Sequence, residues 1–291
     1  MVDSKEYWSE IAGPRWVRFQ AKLDAQLAPF GNATLDALAL ATGESVLDVG
    51  CGCGATVLEI ARRIGASGTV VGIDPSTPML ECARARTSPH APATVAPATC
   101  APATFAPATL VEGDAQVYAF DQSFDAVFSR FGWMFFRDSV AALSHLRSVM
   151  NSDGRLAFVT WRAGEENGWL TQPTLVAMQH LPIEPPDPAG PGPFRFADRE
   201  LIGRVLGEAG WRDVSIAALD RPLVIGGGGS LDEAVDFMLS MGMVAAALES
   251  ADDAVRSAVR AGVREVFSAH TDAVGGVTFN GAAWLVTARV S

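Results

Sequence analysis

Three aspartates follow short apolar runs: Asp48 within Val46-Leu-Asp-Val-Gly50, Asp74 ending Val71-Gly-Ile-Asp74, and Asp114 ending Val111-Glu-Gly-Asp114. Apolar runs of this length that stop at turn residues read as buried strands. The first run passes directly into Gly50-Cys-Gly-Cys-Gly54 and then into a helical pattern from Ala55. Glycines there permit a left-handed backbone and let a ligand approach closely, and the helix start offers unpaired amides. The chemistry is that of a polar, nucleotide-like ligand held at one end of a sheet. Gly50, Gly52 and Ala55 also satisfy the relaxed dinucleotide pattern G-x-G-x-x-G/A, with Asp74 at about the expected distance. On this motif alone a nicotinamide oxidoreductase competes.

The acids separate the two. Asp48 sits inside the strand, two residues before the first glycine, where dinucleotide folds favour apolar residues. A ligand with no pyrophosphate but with cationic groups favours an acid at that place. Asp74 suits a bidentate grip on two ribose hydroxyls, since charge-assisted hydrogen bonds are worth roughly 1.5–3 kcal/mol each. Asp114 is placed to accept from an adenine amino group. Each acid taken singly is better read as a helix-cap or turn residue; the three taken together are not.

The elements that carry these residues alternate along the chain. A helix is expected from Trp16 to Leu27 and a short second one from Asn32 to Ala41. Strands are expected at Ser45 to Val49, Thr69 to Ile73, Thr109 to Glu112, Phe124 to Phe128 and Arg155 to Trp161, with helices between them. The helix before the fifth strand is read as stopped by Asn151-Ser-Asp-Gly154. Such alternation implies a doubly wound, mostly parallel α/β sheet. Beyond Trp161 come a proline-rich loop (Leu181 to Pro193), a helix (Asp198 to Ala209), a strand (Asp213 to Leu219) and a flexible joint (Gly226 to Gly229). Two cap helices are expected next, opened by Ser230-x-x-Glu233 and Ser250-x-x-Asp253, before a last strand at Ala282 to Val290. Residues 1–42 are therefore N-terminal lid helices, 43–161 a ligand-binding core, and 162–225 a substrate-lid loop, helix and sixth strand. Residues 226–275 are a helical cap insertion and 276–291 the last strand. The pentapeptide repeat from Ala91 to Leu110 (APATV, APATC, APATF, APATL) reads as an expanded surface loop, because a proline in every five residues prevents regular structure.

Composition narrows the partners. A formal net charge of -11 and the lack of a Lys/Arg-dense run argue against nucleic acid, whose phosphates require a basic face. No apolar run approaches the roughly 18 residues of a membrane span, and the first residues lack a signal peptide's pattern, so a cytoplasmic protein is expected. Cys51, Cys53, Cys82 and Cys100 are too few and too oddly spaced for a disulfide framework or a zinc site. No metal is expected.

The set VLDVGCGCG, VVGIDPS, LVEGDAQ, FDAVFSRFGWMFF and GRLAFVTWR resembles the class I (Rossmann-like) S-adenosylmethionine-dependent methyltransferases, bacterial small-molecule branch, related to quinone-biosynthesis methyltransferases. The resemblance covers about residues 7 to 223. It implies a seven-stranded sheet and S-adenosyl-L-methionine as cofactor. Gly50, Gly52 and Gly54 would flank its methionine part, with Asp48 near the ammonium through water or backbone. Asp74, followed by Pro75, would take the ribose, Asp114 and Ala115 the adenine, and Ser129 would close the methionine end. The pentapeptide expansion departs from the family's pattern. Trp16 and Gln20, in a segment that looks like the lid of these enzymes, would line the cofactor entrance, unless Trp16 merely pins its helix to the core.

Methyl transfer is a displacement on an already activated sulfonium, so the protein mainly positions the acceptor and excludes water. Arg130, Phe131 and Trp133 follow the fourth strand, where an open α/β sheet presents its crevice, and are the candidate substrate wall. A hydroxyl or amine acceptor benefits from a base. His180 and His270 are the candidates, with Glu165 and Glu166 comparable; His90 reads as loop and His145 as a packed or surface helix residue. Proline and aromatic residues between Trp161 and Phe196 suit an apolar or aromatic small-molecule acceptor. Met238, Met241 and Met243 in the cap serve either a pocket or a dimer contact, so the protein is expected as monomer or homodimer. The rival to an enzyme is an accessory protein that binds the cofactor without catalysis.

Overall fold

In the computed structural model, residues 4–88, 105–184, 187 and 190–291 are described. Residues 91–104 of the pentapeptide repeat, His90 and Cys100 lie outside them.

The chain opens with α1 (Ser4–Glu6), a π-helical turn (Tyr7–Ala12), α2 (Gly13–Arg18) and α3 (Gln20–Leu38). The core follows as β1 (Ser45–Val49), α4 (Ala55–Ile64), β2 (Thr69–Asp74), α5 (Thr77–Thr87), β3 (Ala108–Glu112), β4 (Phe124–Arg130), α6 (Ser139–Ser148) and β5 (Met150–Trp161). Then come α7 (Gly168–Met178), α8 (Arg199–Glu208), β6 (Arg212–Val224), the cap helices α9 (Leu231–Leu239), α10 (Gly242–Glu249) and α11 (Asp253–Ser268), and β7 (Thr278–Arg289). The seven strands form one sheet in the order β3-β2-β1-β4-β5-β7-β6. The first five are parallel, and β7 runs antiparallel to both β5 and β6. This is the doubly wound, mostly parallel sheet expected, with a helical cap inserted before the last strand.

Five parallel strands bring their C-terminal ends, and with them Asp48, Asp74 and Ser129, to one edge. On one face, Val46, Val57, Ile60, Val70, Ala126 and Phe128 form a closed apolar layer under α3 and α4. The other face and the cap share a larger aromatic core. The pairing of β6 with β7 continues past the end of β5, from Trp161↔Ala283 on to Val224↔Thr278, so the cap begins and ends at the same edge as the acids.

Four expectations are corrected. The helices expected at Trp16 to Leu27 and Asn32 to Ala41 are not divided there: α3 runs unbroken through Pro29, because Leu27, Phe30, Thr34 and Leu38 keep one buried face, and it ends at left-handed Ala39. Asn151 to Gly154 do not form a stop but belong to β5, whose pairing begins at Met150 beside Phe124. The cap has three helices rather than two, and the last is capped by Asp252, whose carboxylate accepts from Val255 N, rather than by Ser250. Finally, α7 lies within a stretch read without a helix before the proline-rich loop; it accommodates Pro173 in its interior. No helix among the described residues is long and apolar enough to cross a membrane.

Candidate functional site

Strand β1 delivers Asp48 into the interior, where its side chain is 0 % exposed. Its Oδ2 accepts from the Thr56 hydroxyl of α4, 2.5 Å away. Its Oδ1 is buried without any hydrogen-bond partner. Burial pushes its carboxyl up to about 7, although Thr56 and the Arg130 guanidinium both pull it down. An acceptor oxygen left unpaired in the interior costs about 1–3 kcal/mol, so this position is not explained by folding.

The glycine turn follows. Gly50 has φ +72° and passes so close to the β4 loop that a Cβ would stand 3.1 Å from Gly132 Cα. Gly52 has φ +53° and donates its N–H to Asp74 Oδ2 at 2.9 Å. Left-handed Gly54 ends the turn and leaves α4 without a side-chain cap. Asp74 also accepts at Oδ1 from Ser76 N, 2.9 Å away. Burial raises this carboxyl to about 6 against the two amides. Each oxygen has one lone pair engaged, so the pair of amides orients the carboxylate and leaves it acceptor capacity.

The remaining expected ligand residues differ in their surroundings. Ser129, fully buried, donates to Val49 O at 2.7 Å and ties β4 to β1. Asp114 is exposed and makes a local turn by accepting from Gln116 N at 2.9 Å, and Ala115 beside it is buried. Pro75 gives its carbonyl to Ser9 Oγ at 3.3 Å. That contact belongs to a strap: Ser76 Oγ donates to Trp8 O at 2.7 Å, Lys5 pairs with Glu112 at 2.9 Å, and the Trp8 ring meets Phe135 edge-on at 5.0 Å. The N-terminal turn thus crosses from the ends of β2 and β3 to the loop after β4. Gly13 permits the crossing, since a Cβ there would lie 2.1 Å from Trp8 O. Trp16 packs edge-on to Trp8 at 6.0 Å.

Gln20 donates to Asp24, one turn further along α3. Asp24 also pairs with Arg86 of α5 at 2.9 Å and with Arg130 at 3.6 Å. Arg86 donates in turn to Cys53 O in the glycine turn at 2.6 Å. Asp24, Thr56 and Arg86 were not singled out from the sequence; they lie on three helices and carry no spacing that would mark them.

The aromatic candidates occupy the core. Phe131, with a left-handed φ of +58°, stacks on Trp161 at 3.9 Å and 14°, and Phe30 closes edge-on against both. Such a backbone in a bulky residue stores strain of the kind that clusters at functional sites. Trp133 is 1 % exposed against Phe158, and its Nε1 has no partner. His270 stacks on Phe279 at 3.8 Å where α11 returns to β7, while His180 is exposed after α7. His145 meets Tyr118 O at 2.8 Å. Glu165 and Glu166 are exposed, the latter paired with Arg162. Met238 is buried in the cap core and Met243 exposed. No cluster of metal-binding side chains occurs among the described residues.

Residues 46–154 match a family model described as a methyltransferase domain. The aklanonic acid methyltransferase of Streptomyces sp. (strain C5) is 32% identical over 139 residues, which are 47% of this chain and 57% of that protein. A 2-phytyl-1,4-naphtoquinone methyltransferase from Nostoc punctiforme is 31% identical over 141 residues, 48% of this chain and 54% of its own length. This chain thus spans about half the length of the curated relatives it matches. The Haemonchus contortus phosphoethanolamine N-methyltransferase 2, in complex with S-adenosyl-L-methionine, has the same fold at a TM-score of 0.55, covering 99% of this chain and 60% of its own at 15% identity.

Proposed function

We propose that this chain, built on a class I methyltransferase domain, is an S-adenosylmethionine-dependent methyltransferase that acts on a small apolar or aromatic acceptor in secondary metabolism. The observation that carries the reading is the coexistence of two buried strand-end carboxylates, Asp48 and Asp74, on either side of the left-handed Gly50–Gly54 turn. Asp48 keeps an orphaned oxygen, and Asp74 is aimed by two backbone amides while retaining lone pairs; both fit the polar ends of the cofactor. The cofactor supplies, when bound, a methyl group on a sulfonium that needs no further activation.

The residues of this chain do the rest. Gly50 and Gly52 let the backbone come within contact of the ligand. Asp74 takes the ribose hydroxyls, and Ala115 offers an apolar floor for the adenine beside Asp114. The strap of Tyr7 to Ala12, held by Ser76 and Lys5, excludes water from the transfer step. Phe131 and Trp133 act from the core as the rigid rear of the acceptor site. Of the two histidines, His270 is the better placed base, because the strand it precedes begins at the edge of the sheet that holds the acids. A relative named for aklanonic acid and another named for a naphtoquinone support a small-molecule acceptor of that kind.

Calorimetric titration with S-adenosylmethionine and S-adenosylhomocysteine, with nicotinamide dinucleotides as controls, tests the reading. Micromolar binding of the first pair alone is expected. Asp74→Ala should weaken it at least about tenfold, the worth of one charged hydrogen bond. Unchanged affinity in that variant would remove Asp74 from the site and sink the arrangement described.

A further inference from the structure

We propose that Arg130 is the receptor for the cofactor's amino-acid carboxylate, working beside Asp48 as the receptor for its ammonium, and that Asp24 is the resting counter-ion of Arg130. The inference rests on the reading of the cofactor above and assigns a different task to Arg130 from that of an acceptor wall.

Strand register brings the two receptors together. Asp48 of β1 lies beside Phe128 of β4, so Arg130, two residues on, projects from the same face of the adjacent strand. Packing agrees: a Cβ on Gly31 of α3 would stand 3.0 Å from Arg130 Cδ and 3.8 Å from Thr56 Cγ2, and Thr56 is the residue bonded to Asp48. Gly31 is therefore what lets α3 lie directly over this pair.

The hydrogen-bond inventory then identifies the ligand chemistry. The Arg130 side chain is 12% exposed, carries five N–H donors, and makes no hydrogen bond among the described residues. Its contact with Asp24 is an ion pair at 3.6 Å, too long for a hydrogen bond, whereas Asp24 holds Arg86 at 2.9 Å and is also reached by Gln20. Asp24 is thus committed elsewhere and neutralises Arg130 without satisfying it. A planar guanidinium with unused donors suits a carboxylate. One strand away, Asp48 Oδ1 is an acceptor with no donor. A guanidinium without a protein hydrogen bond, next to a buried acceptor without a donor, is complementary to a zwitterion, and the α-amino acid end of the cofactor is one.

The test uses two ligands that share the nucleoside and thioether and differ in the amino-acid end: S-adenosylhomocysteine and 5′-methylthioadenosine. In the unaltered protein the former should bind tighter by about 30-fold or more, as a charged bidentate contact allows. Arg130→Met should lose most of that ratio by weakening S-adenosylhomocysteine alone, while 5′-methylthioadenosine stays within about twofold. Arg130→Lys, which keeps the charge without the fork, should recover part of it. Asp48→Asn provides a second variant with the same expected pattern. Equal weakening of both ligands in folded Arg130→Met, or no weakening of either, overturns the proposal. If the unaltered protein binds neither ligand, the cofactor reading itself fails, an outcome distinct from failure of the Arg130 assignment.

Discussion

Asp48 and Asn167 are both 0 % exposed polar side chains, one near the C-terminal edge of the parallel sheet and one at the foot of α7. Asn167 is saturated. Its Nδ2 donates one N–H to Ala282 O and shares the other between the carbonyls of Arg162 and Ala163, and its Oδ1 accepts from Trp169 Nε1 and Ala282 N. It stitches the exit of β5, the start of α7 and the middle of β7 into one unit. Asp48 has a single partner and an empty acceptor, and burial drives its carboxyl up to about 7. Saturated buried polar groups fix a fold, because removing them strands their partners; an unsaturated one weakens the fold and is retained where a ligand completes it. The two regions differ in what their buried polarity is for, and the difference can be probed from either side.

The largest effect is expected at the saturated residue. Asn167→Ala removes both N–H donors and the amide oxygen, leaving Trp169 Nε1, Ala282 N and the carbonyls of Arg162, Ala163 and Ala282 with reduced or no partners. Several of these are buried, so a loss of about 3–5 kcal/mol is expected, or roughly 10 °C in Tm by calorimetry. Cofactor affinity of the folded fraction should not change. A large loss of affinity with a small loss of Tm would reverse the roles given to the two residues.

At Asp48 the trade runs the other way. Burial lifts its carboxyl from the ordinary aspartate value of about 3.8, which holds in the unfolded chain, to about 7 in the folded one. Between those values the folded state holds a proton that the unfolded chain has released, so stability falls as pH rises from about 4 to about 7 and the penalty is complete above that. Asp74, raised to about 6, adds a slope of the same sign. Asp48→Asn abolishes the first contribution while adding an unpaired amide, and a net gain of about 1–2 kcal/mol at pH 8, absent below pH 4, is expected in denaturant titrations. A variant less stable than the parent at pH 8 would mean that Asp48 is a structural residue like Asn167.

The two regions were also unequally legible. The C-terminal edge of the sheet is written in contiguous signals: a strand must end where glycines begin, and an acid just before that end falls at the C-terminal edge of a parallel sheet. The β1 turn, Asp48 and Asp74 therefore stand where the sequence pattern puts them. The elements of α3, α7 and the cap are decided by tertiary burial instead. Pro29 and Pro173 look like breaks, yet both helices continue because apolar neighbours such as Phe30 and Ala177 are buried on either side. Asp24 and Arg86 were invisible for a different reason. Each is an ordinary helical residue by spacing, and only the tertiary placement of α3 brings Asp24 within reach of both Arg86 of α5 and Arg130 of β4. Pairings between residues more than sixty positions apart leave no local trace.

The smallest expected effect sharpens this last point within the cap. Ser250-x-x-Asp253 has the form of a helix-opening box, but α11 begins at Asp253, two residues later than that box requires for its own closure. The carboxylate of Asp252 accepts from Val255 N at 2.8 Å, whereas the Ser250 hydroxyl donates back to Ala247 O at 3.4 Å and belongs to the end of α10. An N-cap side chain is worth about 1 kcal/mol, since it satisfies an amide that the helix cannot. Asp252→Ala should therefore lower Tm by about 2 °C, and Ser250→Ala should leave it unchanged within error. Neither should alter cofactor affinity, because both sit at the junction of α10 and α11 in the cap and contact neither Asp48 nor Asp74. The opposite ranking of the two variants would restore the box read from the sequence and move the start of α11 back toward Ser250.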